Sequence, residues 1–179
     1  MLKGGEITRS QWIPKGEVQH ILAALSAENR LACEISLATG LRINDVLQLK
    51  TEQVKKGRFT VYEQKTGKTH LVRLPRDLQK RAINCSGSHF VFQGRLNGMQ
   101  HRTRQAVFKD LKKAVANFGV KENVTPHSLR KIYAVEEYKK HGNLKKVQKL
   151  LNHSSEAVTI LYAAANVLND RKNFKKVKK

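Results

Sequence analysis

The chain has 179 residues, which is long enough to bury one sizeable core and rather short for two domains, so we expect a single domain over residues 1–179. Lysine and arginine number 35 against 14 acidic residues, and the formal charge of +21 favours a polyanionic partner, with an acidic membrane surface as the second choice. No apolar run approaches the roughly 20 residues of a spanning helix, and the polar N-terminus lacks the apolar core of a signal peptide, so we expect a cytoplasmic protein.

Three helices are predicted in the first fifty residues. Apolar residues recur at helical spacing over 18–25, and a second run over 31–38 ends near Gly40. A third, short amphipathic helix follows and places Arg42 at its N-terminal end, beside a tight turn. Its apolar positions are Ile43, Val46, Leu47 and Leu49.

A β-hairpin is predicted next. Residues 58–64 and 69–74 are rich in β-branched and aromatic side chains, and the Lys-Thr-Gly-Lys segment between them is typical of a turn. This arrangement puts Lys65 at the tip of the hairpin. Residues 89–92 are a candidate for one more short strand.

The rest of the chain is predicted to be helical. A helix over 103–118 places four apolar residues on one face, and further helices are expected over 128–140, 143–151 and 155–162. The four apolar residues are Val107, Phe108, Leu111 and Val115. Six of the last nine residues, 171–179, are Lys or Arg, which indicates a solvated basic tail or, alternatively, a contact with phosphates. The predicted fold class is therefore α+β, a mainly α-helical domain with a small antiparallel β-sheet.

Four short motifs carry the chemistry. The segment Thr-Pro-His-Ser-Leu-Arg puts His127 and Arg130 three residues apart at a helix start, where both side chains can face one point. Alone, this pair is weak evidence. It is joined by Leu-Leu-Asn-His ending at His153, with Tyr162 nine residues later, and by Thr-Gly-Leu-Arg ahead of the Lys-Thr-Gly-Lys turn.

In this series and order the motifs resemble the tyrosine recombinase, or phage integrase, family, over about residues 18–162. The resemblance implies the fold of the family's catalytic domain, a duplex DNA partner, self-association into a tetramer on DNA and a nucleoid-associated location. It also implies a catalytic set: Arg42 and Arg130 as the paired arginines, Lys65 as the hairpin lysine, His127 and His153 as the two histidines, and Tyr162 as the nucleophile.

The chemistry of these residue types fits phosphodiester cleavage. A tyrosine phenol has a pKa near 10, so attack by Tyr162 on phosphorus is helped by a base, a role assigned to His127, while His153 holds the phosphate. The departing 5′ hydroxyl needs a proton, for which Lys65 is the candidate donor and Lys68 the nearby rival.

No cofactor or metal ion is expected. Two arginines can donate paired hydrogen bonds to the nonbridging phosphate oxygens, so positive charge is available without Mg²⁺. Cys33 and Cys85 are isolated in sequence, with no Cys-x-x-C pair and no His at metal-ligand spacing, and are predicted to be reduced packing thiols.

Several other residues have open roles. Asp45 lies one helical turn after Arg42, where it either orients the guanidinium or is an exposed helix carboxylate, and the sequence favours neither. Tyr133 and Tyr138 compete with Tyr162 as nucleophiles but fall in the helix after Arg130, where packing or surface positions are expected. The remaining histidines have no evident partners and are interpreted as surface or phosphate-contacting residues: His20, His70, His89, His101 and His141.

The chain departs from the family pattern in two places. Asn152 stands where glycine commonly precedes the second histidine, and asparagine tolerates left-handed backbone, so the turn can form. Only 41 residues precede Arg42, which leaves no room for the family's separate DNA-clamping domain, as in an excised domain or a short member. A DNA-binding regulator that does not cut and a type IB topoisomerase-like relaxing enzyme remain alternatives to recombination, and an RNA-binding protein is a further one from charge alone.

Overall fold

A computed structural model of the chain describes residues 10–152. That part of the chain contains eight helices and one two-stranded antiparallel sheet. The order is α1 Lys15–Ala23, α2 Ala27–Thr39, α3 Ile43–Leu47, α4 Thr51–Lys55, β1 Arg58–Glu63, β2 Lys68–Arg73, α5 Arg76–Cys85, α6 Arg104–Asn117, α7 Pro126–His141 and α8 Leu144–Leu150. The mainly helical fold class with a small antiparallel sheet is confirmed.

Helix α2 lies at the centre and contacts α1, α3, α5, α6 and α7. Its N-terminus is fixed from α6, because Asp110 accepts hydrogen bonds from the Ser26 backbone N–H at 3.0 Å and from Asn29 Nδ2 at 2.6 Å. Gly40 ends the helix in left-handed conformation, with φ of 72°, as the sequence predicts. The helix therefore delivers the chain to Arg42 in a fixed direction.

The hairpin forms where it is predicted. In its register Phe59 pairs with Val72 and Val61 pairs with His70, and these positions share the inner face. Burial along β1 alternates strictly, with Phe59, Val61 and Glu63 buried. The last inward position of the strand is thus a carboxylate.

Two short helices flank the hairpin and are absent from the sequence prediction. Helix α4 leads into β1, and α5 follows β2 and packs on both α2 and α4. Gln79 of α5 donates to the carbonyls of Val54 and Lys55, at 3.0 and 3.2 Å, and so holds the base of the hairpin.

The predicted strand over 89–92 is wrong. Among residues 10–152 this segment makes only isolated bridges, between Lys50 and Phe90 and between Gln93 and His101. The apolar run is there because the segment is buried, with Val91 and Phe92 in the core, and not because it joins a sheet.

Helices α6, α7 and α8 confirm the predictions over 103–118, 128–140 and 143–151, whereas the prediction over 155–162 lies outside the described residues. On α6, Val107, Leu111 and Val115 are buried, but Phe108 is 43% exposed and does not belong to that face. No helix within residues 10–152 is long and apolar enough to cross a membrane.

Candidate active site

The turn that carries Arg42 is fixed by close packing and by side-chain hydrogen bonds. Ser36 Oγ donates to the Leu41 carbonyl at 2.7 Å across the end of α2. The ring of Tyr133 lies so close to Gly40 that a Cβ there would be 2.5 Å from two ring carbons. Arg42 is the N-cap residue of α3, as the sequence predicts. Its side chain is 13% exposed, so it lies largely inside the fold.

Arg130 lies on the first turn and a half of α7, whose start is built by local capping. Thr125 accepts from the His127 backbone N–H at 3.2 Å, and Ser128 Oγ accepts from the Thr125 N–H at 3.1 Å. Pro126 occupies the first helical position, where its missing N–H costs nothing. This start holds His127 half-buried and Arg130 buried, one turn apart on the same helix.

The Arg130 guanidinium joins two segments that are far apart in sequence. Nη1 donates to the Gly40 carbonyl, and Nη2 donates to the Leu151 carbonyl at 3.0 Å. Gly40 precedes Arg42 by two residues, and Leu151 precedes His153 by two residues. Three of the four sequence motifs are therefore brought to one place by a single side chain that is 1% exposed.

Glu63 is the acceptor for the other arginine. Arg42 Nη1 forms an ion pair with Glu63 Oε2, which also accepts from Thr66 Oγ1 at 3.3 Å. Glu63 Oε1 accepts from His70 Nδ1 at 3.0 Å and from Asn152 Nδ2 at 2.9 Å. The carboxylate is fully buried and collects donors from four separate segments.

The pKa of Glu63 and the pKa of the neighbouring Asp45 are shifted in opposite directions. Burial acts to raise the pKa of Glu63, but the hydrogen bond from His70 and the charges of Arg130, Arg42 and His70 together lower it to about 2. Burial and the charge of Glu63 raise the pKa of Asp45, against smaller opposing effects of a Gln64 backbone hydrogen bond and both arginines. Glu63 is thus the ionised partner of Arg42.

One of the two sequence interpretations, that Asp45 is an exposed helix carboxylate, is wrong. Asp45 is 3% exposed, and Oδ2 has no hydrogen-bond partner among the described residues. The charges of Arg42 and Arg130 act on its carboxyl group, and orientation of the Arg42 guanidinium by Asp45 stays a prediction.

Lys65 lies in the hairpin turn, exposed and directly after Gln64. The turn is closed by hydrogen bonds from the backbone N–H groups of Thr66 and Gly67 to the Glu63 carbonyl, at 3.3 and 2.9 Å. Lys68, the rival proton donor, has Nζ 3.5 Å from the Asn152 carbonyl. The hairpin tip therefore lies beside the end of α8.

His153 and Tyr162 fall outside the described residues. Asn152, immediately before His153, has a positive φ of 57°, so the left-handed turn expected at this position is present. Its side chain also donates to the Thr69 carbonyl, at 3.4 Å, besides its bond to Glu63.

Tyr133, one of the competing tyrosines, has a packing role. Burial and the charge of Glu137 raise its pKa to about 12, and its ring covers Gly40. Tyr138 packs against the small cluster formed by Ala134, Val147 and Leu151. Both positions agree with the expectation that these residues belong to helix packing or to the surface.

The interpretation of the remaining histidines as lacking partners is wrong for four of them. His70 binds Glu63, His89 Nε2 lies 2.8 Å from Lys50 Nζ, and His101 Nδ1 lies 2.8 Å from the Arg102 carbonyl. His141 Nε2 lies 3.4 Å from a Glu137 carboxylate oxygen. Of these, only the His70 contact belongs to the site.

Glu63 is not among the site residues predicted from the sequence, although the pattern of strand β1 contains a signal for it. The alternation of β1 places Phe59 and Val61 on the core face, and the same period places Glu63 there too. A carboxylate at a core-facing position must find donors or lose its charge. That conflict, two residues before the hairpin lysine, marks Glu63 as a candidate for the site.

Comparison with known proteins agrees with this fold and shows the family. The model of the phage integrase family matches residues 11–168, so the chain belongs to that family, as its motifs indicate. It is 31% identical over 178 residues to a tyrosine recombinase of Thermosipho africanus (strain TCF52B), covering 94% of this chain and 61% of that relative. It is 33% identical over 153 residues to tyrosine recombinase XerD of Lacticaseibacillus casei, covering 77% of this chain and 50% of that protein.

Solved structures share the fold. A XerA recombinase matches with a TM-score of 0.69 at 18% identity, covering 96% of this chain and 66% of that chain. A lambda integrase tetramer bound to a Holliday junction matches with a TM-score of 0.70 at 21% identity, covering 89% and 50%. The chain thus spans about half to two-thirds of the length of the relatives it matches.

Proposed function

We propose that the chain is the catalytic part of a site-specific DNA recombinase that cleaves and rejoins duplex DNA through a 3′-phosphotyrosyl linkage at Tyr162. The observation that carries this proposal is the Arg130 guanidinium, which joins the Gly40 and Leu151 carbonyls and so brings the segments before Arg42 and His153 together. Family membership supports the same chemistry.

In this mechanism Arg42 and Arg130 stabilise the reacting phosphate. Negative charge grows on the nonbridging oxygens as phosphorus becomes pentacoordinate, and a planar guanidinium can donate two parallel hydrogen bonds to them. Donors held in place before the reaction are the ones that lower the barrier most. The low exposure of both side chains supports such pre-organisation.

Proton transfer in this step involves three side chains, Tyr162, His127 and Lys65. The phenol oxygen of Tyr162 forms a bond to phosphorus while the bond from phosphorus to the 5′ oxygen breaks. His127 accepts the phenolic proton, and Lys65 gives a proton to the departing 5′ oxygen, with Lys68 as the alternative donor. His153 donates to the phosphate.

The phosphotyrosyl product keeps the energy of the broken bond, so another 5′ hydroxyl can reverse the step without a nucleotide cofactor. Duplex DNA is the proposed partner, supported by the formal charge of +21, and a tetramer is the proposed active assembly. The lambda integrase of similar fold is a tetramer on a Holliday junction, which supports this assembly by analogy.

The test is covalent trapping on a nicked suicide duplex taken from the flanks of the encoding element. Cleavage at a phosphodiester just 5′ of the nick releases a short fragment that carries the 5′ hydroxyl and diffuses away, so the protein remains attached to the 3′ end of the cleaved strand. We expect a slow band on denaturing electrophoresis with the wild-type chain and none with Tyr162→Phe. Tyr138→Phe, the same chemical change on α7, is the matched control and should leave the band intact.

Each other result has a distinct meaning. A band that survives Tyr162→Phe assigns the nucleophile to another residue. Tight binding of the same duplex with no band in the wild-type chain favours a DNA-binding regulator that does not cut. Relaxation of a supercoiled plasmid that carries no recombination site favours the topoisomerase-like alternative.

A further inference from the structure

Glu63 has no role in the proposed chemistry, yet it lies at the centre of the site. A fully buried carboxylate is stable as an anion only when donors surround it. Its four donors come from the N-cap of α3, the hairpin turn, strand β2 and the second residue after α8, through Arg42, Thr66, His70 and Asn152.

We propose that Glu63 is a positioning residue: it orients the Arg42 guanidinium and holds the hairpin that carries Lys65 against the turn that precedes His153. This inference rests on the proposed function, because positioning matters only if Arg42 and Lys65 act on a phosphodiester.

Glu63 can help the proposed reaction by fixing the position of Arg42, and not by attracting DNA. An anion beside Arg42 partly offsets the positive charge that a phosphate would meet, so it opposes binding of DNA. Its ion pair with Nη1, however, restricts the orientation of the guanidinium. Removing the carboxylate should therefore slow cleavage without weakening DNA binding.

Arg130 provides a contrast within the same site. Its guanidinium donates to two backbone carbonyls, from Gly40 and Leu151. A side-chain change at Glu63 removes neither of these acceptors, so these two hydrogen bonds of Arg130 should persist in the variant.

Asn152 adds a contact that the family's usual glycine cannot make. Its amide donates to Glu63 Oε1 at 2.9 Å and to the Thr69 carbonyl at 3.4 Å, while its backbone occupies the left-handed region. In this chain the residue before His153 is thus tied by its side chain to the same carboxylate that holds Arg42. Glycine would keep the backbone geometry and lose both contacts.

The experiment uses the full chain and single-turnover cleavage of the suicide duplex, with DNA at saturating concentration. The rate constant reports how well the site is arranged, and the final amplitude reports the fraction of correctly folded protein. Glu63→Gln should lower the rate constant roughly 10- to 100-fold, because small misplacements of catalytic groups have effects of that size. Non-covalent DNA affinity, measured in the Tyr162→Phe background, should be unchanged or slightly tighter.

Two further variants keep the test decisive. Glu63→Asp retains the charge with a shorter reach and should recover part of the lost rate. Asn152→Gly removes one of the four donors and should lower the rate constant about 3- to 10-fold, since three donors remain. Glu52→Gln is the matched control: this carboxylate is exposed on α4 and pairs only with Lys55 in the described contacts, at 2.8 Å, so the rate should not change.

The opposing outcomes are separable. Glu63→Gln with a normal rate constant but a reduced amplitude or thermal midpoint would mean that Glu63 only stabilises the fold, and the inference would be wrong. Weaker DNA binding at an unchanged saturated rate would also overturn it. If the wild-type chain itself forms no covalent product, the proposed function fails first, and the role of Glu63 falls with it.

Discussion

Two carboxylates lie beside Arg42, and the fold treats them differently. Glu63 accepts hydrogen bonds from four side chains and has a pKa lowered to about 2. Asp45 is also buried, but it lacks comparable donors and lies near the charge of Glu63, so its pKa is raised. Equal burial therefore gives opposite shifts, because hydrogen bonds and neighbouring charges decide the sign.

This difference predicts opposite effects of pH on stability. Since the pKa of Glu63 is lowered on folding, the stability it contributes is present above about pH 4.5, its ordinary value, and is lost as pH falls towards 2. Relative to Glu63→Gln, the wild-type chain should lose at most on the order of 3 kcal/mol across that range. Urea unfolding between pH 2 and 8 measures this difference.

Asp45 should behave in the reverse sense. Its pKa is raised on folding, so the stability it contributes is present below its ordinary value, near 3.8, and is lost as pH rises through the raised value. The wild-type chain should therefore lose stability relative to Asp45→Asn as pH increases. Parallel curves for Asp45→Asn and Glu63→Gln would contradict the electrostatic assignment.

At the scale of secondary-structure elements, sequence periodicity predicts the helices and strands whose apolar residues face a single core. Helix α2, with its end at Gly40, and the hairpin were predicted because each has a clear period and a turn signal. Helices α4 and α5 were missed because each buries only two residues, too few for a helical period to stand out. Residues 89–92 are apolar for burial alone, and periodicity cannot distinguish that from a strand.

The residues of the site also fall into two groups, those that can be predicted from the sequence and those that cannot. Arg42, His127 and Arg130 could be placed from sequence because each lies at a helix start marked by a turn or a cap. The hydrogen bond between Glu63 and Asn152 could not be predicted, because the two residues are 89 apart in sequence and meet only in the folded chain. Long-range pairing of two polar side chains leaves no periodic trace.

The end of α2 offers a test at this scale. Gly40 and Gly119 both have positive φ, 72° and 62°, but a Cβ at Gly40 would meet the Tyr133 ring at 2.5 Å, and a Cβ at Gly119 would meet nothing within 4 Å. Both alanine variants carry backbone strain, so Gly40→Ala should reduce the free energy of unfolding by roughly 1–3 kcal/mol more than Gly119→Ala. Equal losses in urea unfolding would show that Tyr133 moves aside without cost.

For the molecule as a whole, we expect the excess of basic residues to govern the proposed encounter with DNA. A protein that neutralises 6–10 phosphates loses about 10³- to 10⁵-fold in affinity between 50 and 200 mM salt. We expect a dependence of that steepness for the Tyr162→Phe chain on duplex DNA, given the formal charge of +21. Fluorescence anisotropy over a salt series measures it, and a flat dependence would count against a phosphate-dominated interface.

The two arginines of the site are held by different kinds of acceptor, one a backbone carbonyl and the other a side chain. This difference determines which of their neighbours can be substituted during evolution. Arg130 binds the carbonyl of Leu151, an acceptor that every amino acid provides, so residue 151 can drift among apolar types without loss of that hydrogen bond. Arg42 binds a side chain, and any replacement of Glu63 other than a carboxylate removes its anionic partner. Tolerance to mutation should therefore be wider at residue 151 than at residue 63.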